Sequence, residues 1–176
     1  MLCHNAHPSA VGFPMHPVAR PLAAVLFAIA TTAHAAPPDW QKFAGSWQIT
    51  GSAIAPWADP THPPQSAETK RLAGKRVTFT PHRVAGPSPL GCLKPKYTVQ
   101  VVPPEGIFEG MLAEPRNGQP TGSSSALASA RALGFDNPEH IVSIDVGCSE
   151  VRFHSLHRGV LVFGLNNRVY TMVRKK

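Results

Sequence analysis

The stretch FAGSWQIT, residues 43–50, decides the reading of this chain. From Trp47 to about Ala53 the side chains alternate. Trp47, Ile49 and Gly51 share one face, and Gln48, Thr50 and Ser52 the other. Period-two alternation is the mark of a half-buried strand. Outward from it the pattern recurs. KRVTFT, residues 75–80, reads as a strand with Val77 and Phe79 inward, ended by Pro81. Residues 96–102, 107–114, 140–147, 150–156, 159–165 and 167–174 read as further strands, with Gly110 as a mid-strand bend. The connections Gly147-Cys148-Ser149, His157-Arg158-Gly159 and Asn166-Asn167 suit tight turns, because Gly and Asn accept positive φ.

Three segments stand outside this pattern. Residues 54–74 carry Pro56, Pro60, Pro63 and Pro64, which forbid a regular ladder. They read as a long Pro-rich loop with one helical turn near Ser66-Ala67-Glu68. RVAGPSPLGCLKP, residues 83–95, reads as turns. Residues 124–134 form the one strong helical pattern, closed by Gly134. The expected fold is all-β with one short helix, an antiparallel up-and-down barrel of about eight strands; a two-sheet β-sandwich is the alternative.

The N-terminal residues have the layout of an export signal. Arg20 precedes the apolar run LAAVLFAIA, residues 22–30, and Ala33-His34-Ala35 offers a small-x-small cleavage site. Cleavage is expected between Ala35 and Ala36, with Met15 a candidate true start. The apolar run is about half the roughly 20 residues of a membrane span, so a retained anchor is not expected. Residues 36–176 are then a single domain, periplasmic or secreted, with no transmembrane segment. That domain holds two cysteines, Cys92 and Cys148, an even count that in an oxidising compartment reads as a disulfide. Closing a loop of roughly 57 residues stabilises by at most about 4 kcal/mol in the chain-entropy model.

The chain carries 17 Lys and Arg against 10 Asp and Glu, a net +7 that falls by one when Arg20 leaves with the signal. The cations are scattered and export argues against nucleic acid. Chemistry is sparse. His154 and His157 stand three apart on a strand, hence on opposite faces, which is wrong for a shared metal. Cys148-Ser149-Glu150 beside His154 lacks a Gly-x-Ser-x-Gly setting. Neither catalysis, nor a metal, nor a cofactor is expected. Candidate contacts for a ligand or partner are Trp57, Asp59, His62 and Arg83, in or near the Pro-rich loop. Trp57 has a competing reading, a tryptophan that pins its loop to the barrel. Asp145 and Arg152 read as a cross-strand pair.

Gly45-Ser46-Trp47, preceded by Phe43-Ala44, resembles the Gly-x-Trp of the lipocalin and fatty-acid-binding (calycin) group. The ending NNRVYTMVRKK, residues 166–176, is similar to that group's closing strand. A wider similarity, through GSWQITGSAIAPW, LAGKRVTFT and Gly91-Cys92 with Tyr97 following, is to small exported bacterial proteins of lipocalin-like type, and it brings no known activity. The resemblance implies that Trp47 closes one end of the barrel and that an arginine of the last strand packs across it. Arg168 is the first candidate and Arg174 the second, so Gly45, Trp47 and Arg168 form the expected closing set. Guanidinium over indole contributes about 0.5–2 kcal/mol. The expected function is binding of a small, partly apolar ligand or envelope metabolite, in a cavity lined by small residues such as Gly51, Gly110 and Ser155. The alternative is a protein-interaction module, such as an inhibitor or immunity protein of an envelope hydrolase, acting through an exposed loop at 54–66.

Overall fold

Two meanders meet through the first and last strands of the chain. The structure, a computed structural model, describes residues 39–59, 61, 66–113 and 123–176. The export signal, its cleavage point and His62 lie outside the described residues. The strands are β1 Gly45–Ile54, β2 Arg76–Phe79, β3 Arg83–Ala85, β4 Cys92–Leu93, β5 Thr98–Val102, β6 Ile141–Asp145, β7 Phe153–His157, β8 Val160–Leu165 and β9 Arg168–Arg174. They form one antiparallel sheet in the order β4-β3-β2-β1-β9-β8-β7-β6-β5. The sheet curls into a half-barrel, because Val84 near one edge and Ile144 near the other belong to one core. All-β is therefore right. The eight-stranded closed barrel and the two-sheet sandwich are both replaced by a single nine-stranded curl.

Two of the differences from the sequence reading have a local cause. The segment 83–95 holds β3 and β4, of three and two residues, too short to show a period against their prolines and glycines. The segment 107–114 is no strand. After Pro103 the chain makes two 3-10 turns, Pro104–Gly106 and Phe108–Gly110, and folds back over the outer face of the sheet. Phe108, Glu109 and Gly110 have φ of 50°, 55° and 86°, a left-handed run that no strand contains. The Pro-rich loop also carries a real helix, α1 Ser66–Leu72, and the predicted 124–134 helix is α2 Ser123–Leu133, closed by Gly134 at φ 89°.

The curl has apolar side chains on both faces. Inside, Phe79, Phe153, Phe163 and Tyr170 follow one another with ring centroids 5.1, 5.6 and 5.1 Å apart. With Ile49, Leu72 and Met172 they fill the deep interior. Outside, Ile141, Val162 and Val169 are covered by Trp57, Ile107, Phe108, Leu112 and the Ala126 and Ala130 stripe of α2. Gly164 lets this cover approach: a Cβ there would stand 3.0 Å from Phe108 and 3.1 Å from Trp57.

The β8–β9 turn stoppers one end. Asn166 takes φ 51° in this tight turn. Its carbonyl accepts from Trp57 Nε1 at 3.1 Å, and the Asn167 carbonyl accepts from the Ala55 amide at 3.0 Å. The Asn166 amide also donates to Glu68 of α1, whose other carboxylate oxygen accepts from the Tyr170 hydroxyl at 2.6 Å. Burial, then the Glu68 contact, pushes the Tyr170 phenol up to about 12. On the open side the Cys92–Cys148 disulfide, with Cα atoms 5.7 Å apart, ties β4 to the turn after β6. Tyr97 reinforces the seam by stacking on Trp40 at 4.4 Å and donating to the Thr80 carbonyl at 2.7 Å.

Because Phe153 links the two halves of the aromatic ladder, Phe153→Ala is expected to cost about 3–5 kcal/mol in denaturant unfolding. Arg131→Ala, whose partner Glu139 is as exposed as itself, is expected to cost under about 1 kcal/mol in the same assay.

Candidate functional site

At the end opposite α1 the half-barrel is open. Trp47 begins there. It is 2% exposed, and its Nε1 donates to the Phe43 carbonyl at 2.8 Å. The guanidinium that covers it is that of Arg174, 4.5 Å from the ring centroid. Arg174 also donates to the Ala44 carbonyl at 2.8 Å and to the Lys42 carbonyl. This corrects the choice of Arg168. β1 and β9 are antiparallel, so Trp47 pairs with Arg174 and Ile54 with Arg168. Arg168 sits at the stoppered end and donates to Ser52 Oγ at 3.0 Å. Gly45 is required beside the cap, with φ 106° and the Arg174 guanidinium 3.6 Å from where a Cβ would lie.

Next to this cap lies a cleft of about 890 Å³. Its floor is Phe43, Trp47, Val142 and Leu161, with Ser155 on the wall. Its rim is Lys42, His157, Arg158, Arg174 and Lys176, with Gln41 and Gly159. Among the described residues no Asp or Glu side chain lines it. The cations arrive from three places: the 3-10 turn Trp40–Lys42, the β7–β8 turn, and the end of β9. Gly159, at φ 79°, makes the turn that presents Arg158. A cleft of this size, with an apolar floor and convergent polar groups, has the dimensions of a small-molecule site.

Of the residues singled out from sequence, Trp47, Ser155 and Arg174 line the cleft, and the contact candidates Trp57, Asp59 and Arg83 do not. Trp57 is 8% exposed and packs on Phe108 at 4.8 Å, on the outer face, where it pins its loop. Asp59 accepts from the Thr61 amide at 2.8 Å in a surface turn. Arg83 is exposed on β3, beside a shallow surface hollow. Of the three small residues expected around a cavity, Ser155 lines the cleft. Gly51 instead borders a pocket of about 70 Å³ beside a register shift in β1, and Gly110 lies in the turn over the outer face. Lys42, Arg158 and Lys176 were legible only as scattered positive charge.

One other cluster has the residue types of a catalytic site. His154 is fully buried, with Nδ1 2.7 Å from Ser143 Oγ. Its Nε2 accepts the Phe108 amide at 3.2 Å. A backbone N–H can only donate, so Nε2 carries no proton and Nδ1–H donates to Ser143. The imidazole is thus unable to take the serine's proton through Nδ1, the reverse of a nucleophile–base pair. Burial, and then Arg152, hold His154 down to about 3. The pair acts as a latch, holding the left-handed turn at Phe108 against the sheet. The other sequence candidates near it are spent: Cys148 is in the disulfide, Ser149 donates to the Pro89 carbonyl at 3.1 Å, and Arg152 pairs with Asp145 at 3.2 Å.

Comparison with known proteins finds no matching family model, no matching curated protein and no matching solved structure.

The latch makes stability pH-dependent. A histidine whose folded value is depressed from 6.5 to about 3 contributes stability that is fully present above 6.5 and lost as the pH falls towards 3. The loss from this group alone is about 1.4 kcal/mol per pH unit in that window. Unfolding free energies of the native protein and of His154→Gln, measured between pH 7 and 4, are expected to differ in slope by about one proton. An NMR titration is expected to find His154 neutral throughout that range.

Proposed function

We propose that this chain is an exported, lipocalin-like binding protein that holds a small, partly apolar ligand in the cleft beside Trp47 and performs no chemistry on it. The observation that carries this reading is the cleft itself. Aromatic and aliphatic side chains pack the deep interior, and the open end keeps about 890 Å³ over an apolar floor. Typical ligand pockets span about 300–1,000 Å³. The lipocalin likeness rests on Gly45-Ser46-Trp47 capped by an arginine of the last strand, here Arg174. Export rests on the N-terminal signal pattern and agrees with a disulfide, a bond that persists in oxidising compartments. The alternative is a protein-interaction module, such as an inhibitor or immunity protein of an envelope hydrolase, acting through an exposed loop at 54–66; Trp57 is no contact for it, because that ring is committed to Phe108 and Asn166.

Native mass spectrometry of the gently purified protein tests the reading. A reproducible bound species, lost on denaturation, is expected on the native chain and not on Ser155→Trp, which fills the cleft wall. Retention of the species by Ser155→Trp would place the ligand elsewhere. The same spectrum reads cleavage between Ala35 and Ala36.

A further inference from the structure

We propose that this protein docks on anionic lipid surfaces through the bare outer face of β1 to β4. Arg76, Arg83 and Lys175 meet the lipid phosphates there, and Leu93 enters the headgroup layer. The face lies outside the cleft, and the proposal does not depend on what the cleft holds.

The charges of this chain are segregated. Residues 69–104 hold seven Lys and Arg and no Asp or Glu, and residues 151–176 hold six and none. Residues 105–150 hold seven Asp and Glu against two Arg. The sheet turns this order into two flanks, because β2, β3 and β4 lie on one side of the β1–β9 pair and β5 and β6 at the far end of the other. A molecule charged in this way approaches an anionic surface in one orientation.

On the basic flank the outer face is uncovered. Trp47, Ile49, Val77, Phe79 and Val84 are buried in the interior, so their neighbours Gln48, Arg76, Thr78, Arg83 and Ala85 point outward. The register sets Gln48 between Arg76 and Val173, and Leu93 opposite Arg83. On β9 the outward side chains run from Val169, buried under the outer cover, to Val173, 37% exposed, and Lys175 follows them into solvent. One face of the sheet is thus apolar and covered at one end, and polar, cationic and bare at the other. The ion pairs of the described residues engage Arg131 and Arg152 and none of these cations.

Leu93 decides the class of partner. It is 76% exposed and sits in the run Leu93-Lys94-Pro95-Lys96 beside Arg83. A dissolved polyanion gains nothing from it, whereas a lipid interface takes aliphatic side chains and cations together. An anionic glycan calls for an exposed aromatic platform, and the exposed large apolar side chains of the described residues are all aliphatic. β4 is a sheet edge, and Lys94 there also discourages strand pairing. Arg76, on the third strand in, and Lys175, beyond the fifth, guard no edge.

Co-sedimentation with phosphatidylcholine vesicles, with and without roughly one-third phosphatidylglycerol, measures the docking. Binding is expected only with the anionic lipid, and is expected to weaken at least about tenfold as salt rises to roughly 0.5 M. Arg76→Glu and Arg83→Glu are each expected to weaken it about tenfold. Arg131→Glu, the same charge change on α2, is expected to weaken it less than about twofold. Leu93→Trp is expected to add an emission that bromine-labelled lipid quenches, beyond any quenching of the native tryptophans. All four side chains are exposed, and thermal melting confirms that each variant is folded. If the phosphatidylglycerol vesicles sediment no protein, the proposal is overturned. If Arg131→Glu weakens binding as much as Arg76→Glu, net charge and not this face does the binding, and the proposal falls. If Arg158→Glu removes binding and Arg76→Glu does not, the vesicles dock at the open end, and it falls as well. If the Leu93→Trp emission is unquenched and dextran sulfate binds as tightly as the vesicles, the partner is a dissolved polyanion and the lipid surface is wrong.

Discussion

The pairing of β1 with β9 is the constraint on which the rest of this fold depends. Strands β1 to β4 form one antiparallel run and β5 to β9 another. Only the ladder from Trp47↔Arg174 to Ile54↔Arg168 makes them a single sheet. It joins residues more than a hundred positions apart, so its loop-closure cost is high and it must be reinforced. The reinforcement lies at its two ends. At one, Arg174 covers Trp47 and ties down the chain before β1. At the other, the Asn166 turn gathers Ala55, Trp57 and Glu68. The open cleft and the stoppered end are thus two consequences of one ladder.

Buried polar groups do the fastening on both faces of the curl. Inside, Glu68 is held by Tyr170 and Asn166 and docks α1. Outside, His154 is held between Ser143 and the Phe108 amide and docks the turn that carries Phe108. Each is a polar contact placed where a packed segment crosses the sheet, and each fixes which way that segment lies. Apolar burial supplies the drive towards contact but has no direction of its own. The strained φ values at Phe108 and Glu109 persist because these contacts over-determine the turn.

Much of the sheet was legible because period two survives wherever one face is drier than the other. β1, β2 and the run from β6 to β9 show it. Phe108, Gly110 and Leu112 show the same spacing by coincidence, and nothing local signals that a histidine forty-six residues on will hold the first of them in a left-handed turn. β3 and β4 are too short for any periodicity. The choice between Arg168 and Arg174 was within reach, since in an antiparallel pair a tryptophan at the start of β1 must face the end of β9. The cleft was not. Lys42, Arg158 and Lys176 come together only through the register of the sheet, which a one-residue slip would reverse. Trp57 drew attention for its loop and turned out to be an anchor.

The Cys92–Cys148 bond crosses the side on which the curl is unpaired, between the β4 edge and the turn after β6. A sheet pinned at its seam is held against opening sideways, so the spacing between the two ends of the curl is set once, when the two sulfurs join. The covalent link is in this sense a gauge as much as a staple.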